Sequence, residues 1–258
     1  HGAEKLVLTI GGSATNDGGI GMLQALGFGF FDAAGKPSAP GAIGLKDLAV
    51  ITADQAMPEL AGCEFRIACD VTNPLCGETG ASAVFGPQKG ADPDMVRQMD
   101  SWMAKYAALS KTVAAGANPL TPGTGAAGGL GFAFLSYLHA SLQSGISIVL
   151  EETRFEEIVR DADIVITGEG RLDQQTAMGK APAGVAALAK KYGRPVIAFS
   201  GSVTREARIC NEHGIDAFFP ILRSAVTLQE AMNPQNAADN LTATAEQVFR
   251  LWALAKQQ

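Results

Sequence analysis

The stretch IVITGEGRLDQQTAMGKAPAGVAALAKKYGRPVIAFSGSV, residues 164–203, decides the fold class. It opens on a β-branched run, Ile164–Thr167, crosses a glycine-rich polar loop, and enters an alanine-rich segment with helical patterning at about residues 176–191. A second apolar run, Val196–Ser200, follows. Beyond it the order repeats, with a helix predicted at about 204–213 and a third strand at Ala217–Ile221. Strands joined through helices run parallel, because a crossover is needed to return the chain to the same end of the sheet. The fold class is therefore α/β, with the C-terminal part a parallel sheet carrying helices on its faces.

Toward the N-terminus the alternation is less regular. Strands are predicted at Leu6–Ile10, Phe65–Cys69 and Ile146–Leu150. Asp92 followed by Pro93 reads as an N-cap with proline in the first turn, and Val96, Met99, Met103 and Tyr106 then share one helical face. Leu241, Ala245, Val248 and Trp252 make a similar stripe in the last helix. Both stripes are read as core. The glycine- and proline-rich connections at 33–45, 70–92 and 116–129 are long for a compact domain, and loops of that kind are usually functional.

Composition narrows the function classes. The 258 residues are 47% apolar and 18% charged, enough for one large domain or two small ones with full cores. A net charge of −6 leaves no basic face for nucleic acid or an anionic membrane, so neither is expected as a partner. No apolar run reaches the ~20 residues of a membrane span. The four cysteines show neither Cys-x-x-Cys spacing nor a neighbouring histidine, which fits reduced thiols in the cytoplasm and argues against zinc. His139 reads as a core or helix-end residue and His213 as a helix C-terminal one, so a histidine-based triad is disfavoured. GEGRLD (168–173) has Asp173 where a dinucleotide fingerprint needs its third glycine, and MGKA (178–181) lacks the hydroxyl residue of a P-loop.

Four loops carry the candidate chemistry: GGSATNDGG (11–19), CDVTNPLCGETGASAVFGPQKGA (69–91), TPGTGAAGGLGF (121–132) and TGEGRLDQQTAMGKAPAGVA (167–186). Glycine lets a backbone approach a ligand closely, and the hydroxyl, amide and carboxylate residues supply polar contacts. Carboxylates just past strand ends lie where open α/β sheets take ligands. Phosphoryl transfer needs cationic groups, a carboxylate for Mg²⁺ and a base for the attacking hydroxyl, and these loops hold candidates for all three. Asp17 has two readings, as a helix cap or as a chemically active carboxylate.

Taken in order, GGSATNDGG, CDVTNPL, VFGPQKGA, GAAGG, TGEGRLDQQT, GKAPAGVA and FSGSV resemble the type I bacterial glycerate kinases across essentially the whole chain. The resemblance implies phosphorylation of D-glycerate with ATP and Mg²⁺, usually on the 2-hydroxyl to give 2-phosphoglycerate, with 3-phosphoglycerate left open. It also implies two α/β domains, one flavodoxin-like and built from both chain ends, the other inserted within it. Residues 1–160 would then be the larger, inserted domain, and 161–258 the C-terminal part of the flavodoxin-like one. The family's N-terminal portion, with the first βα units and another Asp-Gly-Gly loop, has no counterpart here, so part of the site is expected to be absent. On this basis Ser13, Thr15 and Asn16 are expected to contact substrate or phosphate, and Asp17 to be the general base or a metal ligand. Asp70 and Asn73 form a second carboxylate and amide pair, and Glu169 and Asp173 are Mg²⁺ candidates. Arg171 and Lys180 neutralise charge, Lys180 with a catalytic part, and Thr176 joins the phosphate contacts. The loops at 11–19, 70–76 and 168–180 are expected to surround one cleft. If strands of the sheet are missing, aggregation or pairing into a homodimer is expected through the apolar surface they leave exposed. The alternative is a catalytically incompetent domain that keeps an anion or nucleotide pocket.

Overall fold

A computed structural model describes residues 2–256, which form two compact units dividing between Gly145 and Ile146. In the first unit, β1 (Lys5–Thr9) pairs in parallel with β4 (Glu64–Ala68), and β4 in parallel with β5 (Ser141–Gln143). Between them in sequence, β2 (Gly29–Asp32) and β3 (Leu48–Thr52) form a separate antiparallel pair. The helix Pro93–Ser110 starts as expected: Asp92 accepts from the Met95 N–H at 2.8 Å, with Pro93 at its first position. Its stripe turns inward, burying Met99, Met103 and Tyr106, with Val96 at the margin. Tyr106 packs edge-on against Phe132, ring centroids 5.3 Å apart, and lies near Phe30. Each such fully buried side chain contributes about 1.5–3 kcal/mol.

The second unit holds β6 (Val165–Leu172), β7 (Val196–Val203) and β8 (Ala217–Pro220), paired in parallel in that order. One core contains Val159, Ala186, Ala189, Ala207 and Cys210. A smaller one sets Ile197 and Phe199 against Ala245, Val248 and Trp252 of the helix Pro234–Ala255. Leu241, the first residue of the expected stripe, stays 43% exposed.

Three sequence expectations are corrected. Ile146–Leu150 is not a strand; it lies in the helix Gly145–Glu152, and the third strand of the first sheet is the shorter Ser141–Gln143. A short apolar run reads alike as strand or buried helix, and contacts decide. Here Ile146 lies against Gly184, where an added Cβ would come within 2.6 Å of its side chain. The GEGRL segment is not a loop either: β6 continues to Leu172 because β7 extends beside it, pairing Glu169 with Ser200 and Leu172 with Val203. The helix expected at 176–191 is broken into Gln174–Ala177 and Ala181–Lys191, with Gly179 at φ +106 between them. Residues 146–160 group with the second unit, where the helix Phe155–Arg160 packs on Ala181–Lys191 and buries Val159.

Candidate functional site

The first unit contains a cavity of about 430 Å³ beyond the carboxyl ends of β1 and β4. Gly11, Gly12 and Ser13 line it after β1, Asp70 after β4, and Lys89 and Ala127 come from the other glycine-rich segments. Parallel strands end here, and the carboxyl ends of such strands are where open α/β sheets take ligands. The wall is built by backbone on backbone. Ala127, Gly128 and Gly129 are left-handed (φ 52, 68 and 92), and Gly128 accepts from the Gly18 N–H at 2.9 Å. A Cβ on Gly128 would lie 2.1 Å from the Thr15 carbonyl oxygen, and one on Gly129 2.7 Å from Gly18 Cα. The two glycine clusters therefore serve each other as well as the cavity. Ala127 holds its left-handed backbone without being glycine, at a cost of about 1–2 kcal/mol.

The polar residues of the first loop separate into different roles. Asp17 is 7% exposed and does not line the cavity. Its Oδ1 accepts from the Gly19 N–H at 3.0 Å and its Oδ2 from the Gly21 N–H at 3.3 Å, so both oxygens serve the start of the helix Ile20–Ala25. Asn16 is buried too, donating to Ser82 Oγ at 2.9 Å, while its Oδ1 has no hydrogen-bond partner. Ser13 and Thr15 meet Lys89, whose Nζ donates to Ser13 Oγ at 2.9 Å and to the Thr15 carbonyl at 2.6 Å. Burial pulls the Lys89 ammonium below the usual lysine range, and the charge of Asp17 partly opposes this. Among the described residues no carboxylate forms an ion pair with Lys89.

Asp70 is the carboxylate at the cavity. It is exposed, and its Oδ1 accepts from the Gly145 N–H at 3.1 Å. No hydrogen bond from the described residues engages its Oδ2. Asn73 instead closes its own turn, donating to the Thr79 carbonyl at 2.8 Å. Of the loops expected to share a cleft, residues 11–13 and Asp70 line this cavity, whereas 168–180 belongs to the second unit. Lys89 carries no role in the sequence expectations. In sequence it appears only as a member of the 69–91 loop, within VFGPQKGA, and the structure sets it in a tight turn, PQK, between Gly86 and Gly90 (φ +92).

In the second unit the expected residues do cluster. Thr176 is fully buried, and its hydroxyl donates to Glu169 and accepts from the Asp173 N–H at 3.1 Å. Asp173 caps the turn Gln174–Ala177 through the Gln175 and Thr176 amides. Lys180 Nζ lies 3.9 Å from Glu169 and 3.6 Å from Asp173, and Arg171 lies 3.9 Å from Asp173. Among the described residues no three His, Cys, Asp or Glu side chains gather to hold a metal. Magnesium commonly takes only one or two carboxylates, with the rest of its shell from phosphates and water, so the Glu169–Asp173 pair is compatible with it.

Comparison with known proteins agrees with the resemblance in sequence. The profile of the Glycerate kinase family matches residues 1–253. The chain is 48% identical over 255 residues to the glycerate kinase of Bacillus subtilis strain 168, covering 99% of this chain and 66% of that protein. It is 47% identical over 240 residues to the glycerate 2-kinase of Escherichia coli strain K12, covering 93% and 62%. A crystal structure from Salmonella typhimurium LT2, assigned as glycerate kinase 2, superposes with a TM-score of 0.87 at 45% identity, covering 100% of this chain and 66% of that one. The chain thus spans just under two thirds of the length of these relatives. A matched profile over nearly every residue, identities near one half and a shared α/β fold with parallel sheets lead to one conclusion: this chain belongs to the glycerate kinase family.

Proposed function

We propose that the protein to which this chain belongs transfers the γ-phosphoryl group of ATP to the 2-hydroxyl of D-glycerate, giving 2-phosphoglycerate and ADP. Family membership supports the substrate, and the 47% identical E. coli relative, named a 2-kinase, supports the position. The observation that carries the mechanism is Asp70: a carboxylate at the mouth of parallel strands, lining a cavity, with Oδ2 unengaged. Asp70 accepts the proton of the attacking hydroxyl as its oxygen bonds to phosphorus and ADP leaves. The Gly145 N–H fixes the carboxylate's orientation. In the second unit Lys180 and Arg171 neutralise phosphate charge, and Glu169 and Asp173 would hold Mg²⁺. When bound, that ion would stabilise charge developing on the phosphate oxygens.

The proposal includes the domain assignment, with the first unit as the inserted α/β domain and the second as the C-terminal part of the flavodoxin-like one. It also includes a cytoplasmic, homodimeric enzyme, in keeping with four cysteines free of disulfides. No helix among the described residues is long and apolar enough to cross a membrane. The test is turnover by the full-length protein with Mg·ATP and D-glycerate, with the phosphorylated carbon identified by phosphorus NMR. Asp70→Asn should lower kcat at least ~10²-fold. Near-normal turnover by that variant would refute the assignment, and glycerate binding without turnover in the wild type would favour a binding domain.

A further inference from the structure

An anionic substrate needs a cation, and among the described residues lining the cavity Lys89 is the only lysine or arginine. Its long side chain is not left to wander. Ser13 Oγ and the Thr15 carbonyl, more than seventy residues away in sequence, each accept one N–H, so Nζ is held by fixed neutral acceptors with a third N–H to spare. A surface lysine is usually fully hydrated or paired with a carboxylate. Lys89 is half-buried and has no such pair, so its charge is partly stripped of water and offset only in part by the more distant Asp17. Among the described residues Asp70 is the only carboxylate lining the same cavity.

We propose that Lys89 selects the substrate as an acid: held by Ser13 and Thr15, its ammonium takes the carboxylate of the hydroxy acid. This rests on the glycerate reading and deepens it. With the carboxylate on Lys89, the neighbouring hydroxyl is the group presented to Asp70, and a neutral diol lacks the anchor that would hold it there. The Ser13 and Thr15 contacts make the glycine loop a support for this cation, not a phosphate cradle. The cavity is thereby tuned to small hydroxy acids over polyols and amides.

Two experiments on the full-length protein test it. In the first, kcat and KM are measured with D-glycerate and with its uncharged amide, glyceramide, for the wild type, Lys89→Met and Lys89→Arg. Losing one member of a partly desolvated charge pair should raise the glycerate KM at least ~30-fold in Lys89→Met. The KM for ATP should stay within about threefold, and the preference for acid over amide should collapse. Lys89→Arg should recover part of that preference. A purely structural lysine would depress acid and amide alike, which would overturn the proposal. In the second, independent of catalysis and of any variant's folding, acylation of the Lys89 amine in the wild type is followed by mass spectrometry. D-glycerate should slow it and glyceramide should not. Turnover without protection by D-glycerate would remove Lys89 from the site and leave the kinase reading standing. Protection without turnover would do the reverse.

Discussion

Asp17→Asn is expected to cost stability and leave chemistry nearly intact. Each Asp17 oxygen accepts one backbone N–H, from Gly19 at 3.0 Å and Gly21 at 3.3 Å, and the side chain is 7% exposed. A hydrogen bond to a charged group contributes about 1.5–3 kcal/mol, with the longer contact at the low end. Asparagine keeps one acceptor and turns an NH₂ toward the second N–H, so the loss should be about 1–2 kcal/mol. Alanine removes both acceptors and should cost about 3–4.5 kcal/mol. For a unit of this size about 1 kcal/mol corresponds to about 4 °C, so the melting temperature should fall by about 4–8 °C for Asn and about 12–18 °C for Ala. The assay pairs a melting curve with kcat at saturating D-glycerate and Mg·ATP in the full-length protein, where Asp17→Asn should keep kcat within about threefold. A fall in kcat of ~10²-fold or more with an unchanged melting temperature would refute the capping argument and make Asp17 the base.

Alkaline pH should weaken the first unit. Burial pushes the Cys76 thiol, helped by the charge of Asp100, from 9.0 to about 12, and burial pushes the Tyr137 phenol from 10.0 to about 12. The unfolded chain therefore releases these protons first: their stabilisation is complete below about pH 9 and is lost as pH rises toward 12. Denaturant midpoints should decline across that window, less steeply in Cys76→Ala, and a midpoint flat to pH 12 would contradict the assignment. Gly128→Ala should cost about 3 kcal/mol or more, because its Cβ would lie 2.1 Å from the Thr15 carbonyl oxygen at φ +68. Ala127→Gly should stay within about 1 kcal/mol of wild type, relief of a left-handed φ offsetting the added chain entropy; equal losses in the two would undo the packing account.

Some of this was legible in the residues alone, because some information is local. The β-branched runs after 164 with helical segments between them leave little choice but parallel strands, and Asp92-Pro93 caps its helix through a residue three positions on. The glycine clusters were read as letting backbone approach a ligand, and at Gly128 it is the Thr15 backbone that lies close. Other features depend on partners distant in sequence. Whether Ile146–Leu150 became strand or helix turned on the helix bearing Gly184. How far β6 ran past its apolar start turned on the length of β7. An aspartate after a strand looks the same whether its oxygens are consumed by amides or left at a cavity, so Asp17 and Asp70 could not be told apart until the loops were folded. Lys89 stood in a candidate loop but could be given no task, for the same reason. A charge acquires a task only from what surrounds it, and Ser13 and Thr15 reach Lys89 through the tertiary fold, not along the chain.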